Sequence, residues 1–322
     1  MQTRLTQLLG IRYPIIQGAL QWLARAPLAG AVSAAGGLGI INAKSFSRPD
    51  ELQAEIAAMR AITDRPFAVN ISMLPELAGP DPVEQWVQVC ISERVPVVET
   101  AGRSPKEFLP ALKEAGIKVI HKVPAVRFGL SAQRAGVDAV TLVGFECGGH
   151  PGMDGVGSLV LIPRGADQLS VPLIAGGGVA DGRGLAAALA LGADGVVMGT
   201  RFLLAQEVEL HPEIRRRLLA ADELATTLVM GSLRNNARVL NNVAARECQE
   251  LEARGAGIEE LRGVIGGGRG LAALRRGDPE DGIMALGQGV GLIAEVLPAA
   301  EIVERTVAQA RESLARMQKA LA

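Results

Sequence analysis

Residues 171–201 read VPLIAGGGVADGRGLAAALALGADGVVMGTR, and this stretch decides the fold. Val171–Ala175 and Val196–Met198 are short apolar runs of the kind buried on both faces of a parallel sheet. Between them Gly176, Gly177 and Gly178 make a turn without side chains. Asp181 is a candidate N-cap for the alanine-rich helix that follows, and Gly192 a candidate stop. With Gly199 and Thr200 after the second run, two consecutive strands end in bare backbone donors, the arrangement a phosphate needs. In a (β/α)8 barrel the phosphate site typically follows the seventh and eighth strands. The stretch is therefore a candidate cradle for a phosphorylated cofactor or substrate.

The rest of the chain can be counted against that barrel. Strands are expected at Ile15–Gly18, Leu38–Asn42, Phe67–Ser72, Pro96–Thr100, Lys118–Lys122, Ala139–Gly144, Pro172–Ala175 and Gly195–Met198. Helical patterns separate them at Leu28–Ala35, Pro49–Ala61, Pro82–Glu93, Lys106–Ala115, Ala125–Ala135, Leu159–Leu169 and Gly184–Leu191. Gly116, Gly136 and Gly192 recur at helix-to-strand joins, where a left-handed cap ends a helix. Strict alternation with short connections argues for parallel strands and right-handed crossovers. An open doubly wound sheet is the competing architecture; eight units with the glycine turn seventh favour the closed barrel.

After Arg201 the pattern changes. Pro212–Leu224 and Val239–Arg254 read as helices, no strand is evident, and Gly263–Gly270 reads as a surface loop. Ile283–Leu297 and Ala300–Ala322 are helical again. The expected fold is a (β/α)8 TIM barrel, residues 1–209 with 283–322, carrying a helical insertion at 210–282 after the eighth strand.

Composition narrows the function. With 322 residues, 48% of them hydrophobic, the chain can bury a large core. Its 33 basic residues balance 34 acidic ones and aromatics are only 3%, so neither a phosphate-backbone field nor a stacking platform for nucleic acid is present. No apolar run reaches membrane-span length, and MQTRLTQLLG lacks a signal-peptide core. Three scattered cysteines suit a reducing compartment, with cytoplasm the default, and with three scattered histidines they make no zinc site. Oligomeric state leaves no trace in the sequence.

Barrel chemistry sits at the C-terminal ends of strands. There the chain places Gln17 to Trp22, Asn70 and Ser72, His121 and Lys122, and the run Gly144–Gly152, GFECGGHPG. His150, between Gly149 and Pro151, is a candidate general acid or base, or a loop histidine bonded to backbone. Lys122 could offer charge to an anionic ring or phosphate, or form a rim ion pair. His121 must then face the opposite way, as a packed structural histidine. Asn70 and Ser72 share a face and could hydrogen-bond a heteroaromatic ring or fill the core. Glu146 could orient His150 or close the rim, and Cys147 lacks the cationic surroundings of a reactive thiol. His211 before Pro212 reads as a helix start.

YPIIQGALQW, AVSAAGGLGII, RPFAVNIS, VIHKV, GFECGGHPG, the 171–201 stretch and SLRNNARV together resemble the nitronate monooxygenase (2-nitropropane dioxygenase-like) family of FMN-dependent barrels, over almost the full chain. GFECGGHPG and SLRNNARV are most similar to a bacterial subgroup that includes NADH:quinone reductases; the FMN-dependent enoyl-ACP reductases share much of the framework. The resemblance implies that Gly177, Gly178, Gly199 and Thr200, with Gly176 in the same turn, hold the FMN phosphate. It implies that Ala19, Leu20 and Gln21 line the flavin, that Asn70, Ser72 and Lys122 contact ring and ribityl chain, and that Gly148 and Gly149 lie beside the ring. His150 matches the active-site histidine. Gly176 stands where Ala or Ser is common in the family, which should loosen the turn.

The implied partners are a small-molecule substrate, nitronate or quinone, and NAD(P)H as a further electron donor. Nitronate oxidation leads, because it is the family's defining activity. NAD(P)H:quinone reduction and enoyl-ACP reduction stand as alternatives on the same site. A non-redox phosphate-binding barrel, an aldolase or isomerase with Lys122 as Schiff-base lysine, is the alternative from a different class.

Overall fold

The computed structural model describes residues 1–73 and 82–322. Eight parallel strands form one sheet: β1 (Ile15–Gln17), β2 (Gly39–Asn42), β3 (Phe67–Met73), β4 (Val97–Gly102), β5 (Lys118–Val123), β6 (Ala139–Val143), β7 (Leu173–Gly176) and β8 (Gly195–Met198). Each pairs with its neighbour in chain order, β8 pairs with β1, and a parallel bridge from Ile16 to Leu38 closes the ring. A (β/α)8 barrel results, with each expected strand found to within two residues.

The helices are α1 (Arg4–Leu9), α2 (Ala26–Ala34), α3 (Pro49–Ile62), α4 (Val83–Ser92), α5 (Leu109–Glu114), α6 (Val126–Ala135), α7 (Ser158–Ala166), α8 (Gly182–Ala190) and a short α9 (Thr200–Leu203). Asp181 caps α8 by accepting from the Arg183 and Gly184 N–H groups. Gly116, Gly136 and Gly192 at the helix-to-strand joins have φ of 75°, 103° and 95°, a region where a side chain is strained. The long α14 (Ala299–Leu321) packs against α8 and α2, the place of the eighth barrel helix. Its Gln309 side chain accepts from the Gly182 N–H at 3.0 Å.

Two cores follow from the period-2 alternation of the strands. Ile15, Val69, Val98, Val119, Val140, Leu173 and Val196 face the helices. Ile16, Ile40, Ala68, Val97, Ile120, Ala139, Ile174 and Val197 fill the barrel, and Leu5, Leu9 and Ile11 from α1 and its exit seal it from below. The sequence reading did not anticipate α1, because six residues carry too little periodicity.

His121 lies on the outer face, as the alternation requires. It is 3% exposed, and its Nδ1 meets the Thr100 hydroxyl at 2.8 Å. Burial lowers its pKa from 6.5 to about 4. On acidification the unfolded chain takes up this proton first, so the contribution present above pH 6.5 is lost as pH falls towards about 4. Urea unfolding should show up to about 3 kcal/mol less stability at the acid end from this group. In His121→Asn that component of the pH dependence should vanish.

Beyond β8 the chain forms α10 (Pro212–Leu219), α11 (Val243–Ala253), α12 (Ile258–Ile265) and α13 (Gly267–Arg276), a mainly helical insertion. His211 caps α10, its Nδ1 accepting from the Glu213 N–H. Three expectations need correction. A hairpin, β9 (Thr226–Val229) with antiparallel β10 (Ala237–Leu240), appears where no strand was expected, so Val239 is strand rather than helix. Its strands are four residues long and held by packing of Val229 and Val239 on Ala244, Cys248, Leu261 and Val264, which local pattern does not reveal. Gly263–Gly270 is not a loop but the junction of α12 and α13. A Cβ on Gly267 would sit 3.2 Å from the Trp22 ring, so glycine there permits close approach rather than flexibility. Ile283–Leu297 is not a helix: only a 3-10 turn forms, at Gln288–Leu292, among Gly287, Gly289 and Gly291.

Candidate active site

The C-terminal ends of the barrel strands converge on one mouth. On β3, β4 and β5 the inward residues form a polar chain. The Ser72 hydroxyl donates to Asn70 Oδ1 at 3.2 Å, and Asn70 Nδ2 donates to Glu99 Oε1 at 2.7 Å. Lys122 Nζ donates to the same oxygen at 2.8 Å. Asn70, Ser72 and Lys122 are thus brought together by Glu99, which sequence reasoning missed. Glu99 is completely buried, and its second oxygen has no partner among the described residues. The signal available in the sequence was a lone carboxylate within the apolar strand VVETAG, at 97–102, on the strand next to those of Asn70 and Lys122.

The glycine turn lies opposite. Gly177 and Gly178 have φ of 93° and 72°. Together with Gly199 and Thr200 their N–H groups donate to no acceptor among the described residues. Helix α9 starts at Thr200, and Leu20 Cδ2 lies 3.8 Å from where a Gly199 Cβ would be. Gly176 belongs to β7 instead of the turn, and a Cβ there would come within 2.8 Å of Val197 and 2.9 Å of Val143. Its lost side chain makes room for two valines, so the expected loosening of the turn does not follow. Ala19 and Leu20 are half-buried on the β1 loop, whereas Gln21 is exposed and no hydrogen bond ties it to the others among the described residues.

The corrected loop at 286–291 completes this side. The Gly287 N–H donates to Thr200 Oγ1 at 3.0 Å, and the Gln288 N–H donates to the Glu146 carbonyl at 3.0 Å. A Cβ on Gly148 would lie 2.7 Å from the Gly287 nitrogen, so Gly148 is small because of this loop. Around Gly149, with φ of 80°, a Cβ would meet nothing within 4 Å. The space beside the Gly149 Cα is thus free of protein atoms.

His150 follows. The insertion reaches it through β10: the Gly149 N–H donates to the Arg238 carbonyl at 3.0 Å, and the Arg238 N–H donates back at 2.7 Å. This two-way bond sets Asn235 and Asn236, from the SLRNNARV motif, against the imidazole. Burial lowers the His150 pKa, the Asn235 and Asn236 groups offset this in part, and the charge of Lys44 lowers it further. A neutral imidazole whose buried Nδ1 has no partner among the described residues is the outcome. The Arg238 guanidinium is spent elsewhere, donating to the Phe145 carbonyl at 2.9 Å and stacking on its ring at 4.7 Å.

Glu146 does not orient His150. Its carboxylate accepts from the Ser158 N–H at 3.0 and 3.1 Å and from the Ser158 hydroxyl at 3.0 Å, which caps α7. Burial pushes the Cys147 thiol up to about 12, far from a reactive thiolate. Cys147→Ala should therefore keep wild-type turnover; its loss in a steady-state assay would contradict the inert assignment. Among the described residues no cluster could hold a metal ion, and no helix is long and apolar enough to cross a membrane.

A family profile described as nitronate monooxygenase matches residues 2–309. The chain belongs to the nitronate monooxygenase family. Members and relatives of this family are oxidoreductases. A Mycobacterium tuberculosis protein named (3aS,4S,5R,7aS)-5-hydroxy-7a-methyl-1-oxo-octahydro-1H-indene-4-carboxyl-CoA dehydrogenase is 40% identical over 224 residues, 69% of this chain. The match spans only 61% of that relative's length. A probable nitronate monooxygenase from Staphylococcus saprophyticus is 33% identical over 274 residues, 72% of this chain and 77% of the relative. The structure of FabK from Thermotoga maritima superposes with a TM-score of 0.92 at 38% identity, covering 99% of both chains.

Proposed function

We propose that this chain is an FMN-dependent oxidoreductase working at the barrel mouth, with oxidation of alkyl nitronates as its leading activity. The observation that carries the reading is a neutral, half-buried His150 at the same mouth as four backbone donors, those of Gly177, Gly178, Gly199 and Thr200, that are unengaged among the described residues. Those donors suit a phosphate at the start of α9, and the side-chain-free space at Gly149 suits a flat ring. Asn70, Ser72 and Lys122 would meet the ring and ribityl chain, with Ala19 and Leu20 alongside. FMN, when bound, would supply the electron transfer that no side chain here can.

The protein's own task is then the proton. With an α-proton still in place, a neutral nitroalkane needs a base, and the His150 ring nitrogen would take that proton as the C–H bond breaks and the nitronate forms. Because the imidazole is neutral, the base role is favoured over holding an anion by charge. Lys122 is ion-paired to Glu99, which speaks against the free amine of a Schiff-base enzyme.

A second reading is favoured by sequence identity. Both the carboxyl-CoA dehydrogenase at 40% and FabK at 38% are more similar to this chain than the probable nitronate monooxygenase at 33%. Under it the substrate is an acyl thioester, NAD(P)H is the electron donor, and the His150 N–H would polarise the thioester carbonyl. Anaerobic mixing separates the two by the flavin band, at about 450 nm as cofactor chemistry. Bleaching by an alkyl nitronate and not by NADH or NADPH is the expected result. Bleaching by a nicotinamide alone, reversed by an enoyl thioester, would replace the leading reading with the second, and reversal by a quinone would make it a quinone reductase.

A further inference from the structure

We propose that Glu99 is a positioning residue that sets the charge felt by the flavin, acting through Lys122 and Asn70. The proposal rests on the FMN reading above. Inside the barrel, the positions below Glu99 are apolar: Val97, Ala68, Ile120, Ala139 and Ile174. The architecture therefore closes without a charge at this depth, yet a completely buried carboxylate sits there. Burying it is costly unless it is paired.

Its single engaged oxygen, Oε1, takes both the Lys122 ammonium and the Asn70 amide. The Asn70 amide is in turn fixed at its other end by the Ser72 hydroxyl. One carboxylate thus orients the three side chains expected along the ring and ribityl chain. It also pairs with the Lys122 charge, and the Lys122 side chain stays 24% exposed while that of Glu99 is fully buried. Two buried oxygens without partners among the described residues, Glu99 Oε2 and the hydroxyl of Thr141, flank Lys122; Thr141 is its register partner on β6. A group that neither closes the core nor fills its own hydrogen bonds is placed there for its charge.

The test is the two-electron midpoint potential of bound FMN, with FMN affinity measured beside it. Glu99→Gln keeps shape and can keep the bond to Asn70 but removes the negative charge. Reduced FMN should then gain about tenfold over oxidised FMN in relative affinity, a rise of about 30 mV. Lys122→Met should move the ratio about tenfold the other way. Opposite signs are the signature, because a merely structural role would shift both variants alike or neither. Should one variant fail to fold, the other decides: no shift, or a shift of the wrong sign, overturns the proposal. Wild-type protein that takes up no FMN would overturn the cofactor reading and this one with it. Normal uptake with unmoved potentials would overturn the role of Glu99 alone.

Discussion

His150→Asn should leave FMN bound and lower turnover of a neutral nitroalkane by roughly a hundred- to ten-thousandfold, the range a lost general base costs. The surroundings of the imidazole favour its neutral form, through burial and the nearby Lys44 charge. Asparagine keeps a polar group of similar reach and cannot take a proton. With a pre-formed nitronate the proton has already gone, so the same variant should lose far less. That contrast separates a base from a residue that merely shapes the pocket. For the wild type, kcat/KM with the neutral substrate should be flat above the ordinary histidine pKa and fall only once pH drops below it, because the shift is downwards. Equal losses on both substrates would remove the base assignment.

Gly177→Ala should weaken FMN binding by about ten- to a hundredfold. At φ of 93° a side chain is strained, and the added Cβ would lie 3.0 Å from the Gly144 carbonyl oxygen and 3.1 Å from its nitrogen. These atoms are backbone and cannot yield as a side-chain tip could, so the turn must shift and carry its N–H groups with it. Strain of about 1–3 kcal/mol, if relieved only by distorting the turn, corresponds to that loss of affinity. Gly116→Ala is the control. Its φ of 75° is comparably strained, but its Cβ would meet nothing within 4 Å and it lies at the join before β5, at the far end of the barrel. It should cost stability and leave FMN affinity unchanged. Titration of apoprotein with FMN reads both.

How far the site could be read in advance depended on whether its parts were local. Residues 171–201 carry strand, turn, cap and helix within one short segment, and Asp181 and Gly192 do there what their chemistry suggests. His121 and Lys122 were separable because alternation along a strand is itself local. What stayed hidden depends on partners distant in sequence. Glu99 becomes meaningful only once β3 and β5 bring Asn70 and Lys122 to its sides. The strand character of Ala237–Leu240 comes from pairing with Thr226–Val229 and from Gly149, so its delivery of Asn235 and Asn236 to His150 has no local signature. Residues 283–297 have helix-like apolar spacing, yet their glycines and their bonds to Thr200 and Glu146 give a loop that braces the mouth. Gly148 was expected small for a ligand's sake and is small for that loop's sake.

The central claim is that the glycine turn and α9 start form an FMN phosphate site beside His150. Titrating the purified apoprotein with FMN, and in parallel with riboflavin, which lacks the phosphate, tests it most directly. The account predicts one FMN per chain, and riboflavin binding weaker by at least about a hundredfold, since a phosphate on several charge-assisted backbone bonds accounts for that difference. No uptake of FMN, or equal affinity for the two, would contradict it.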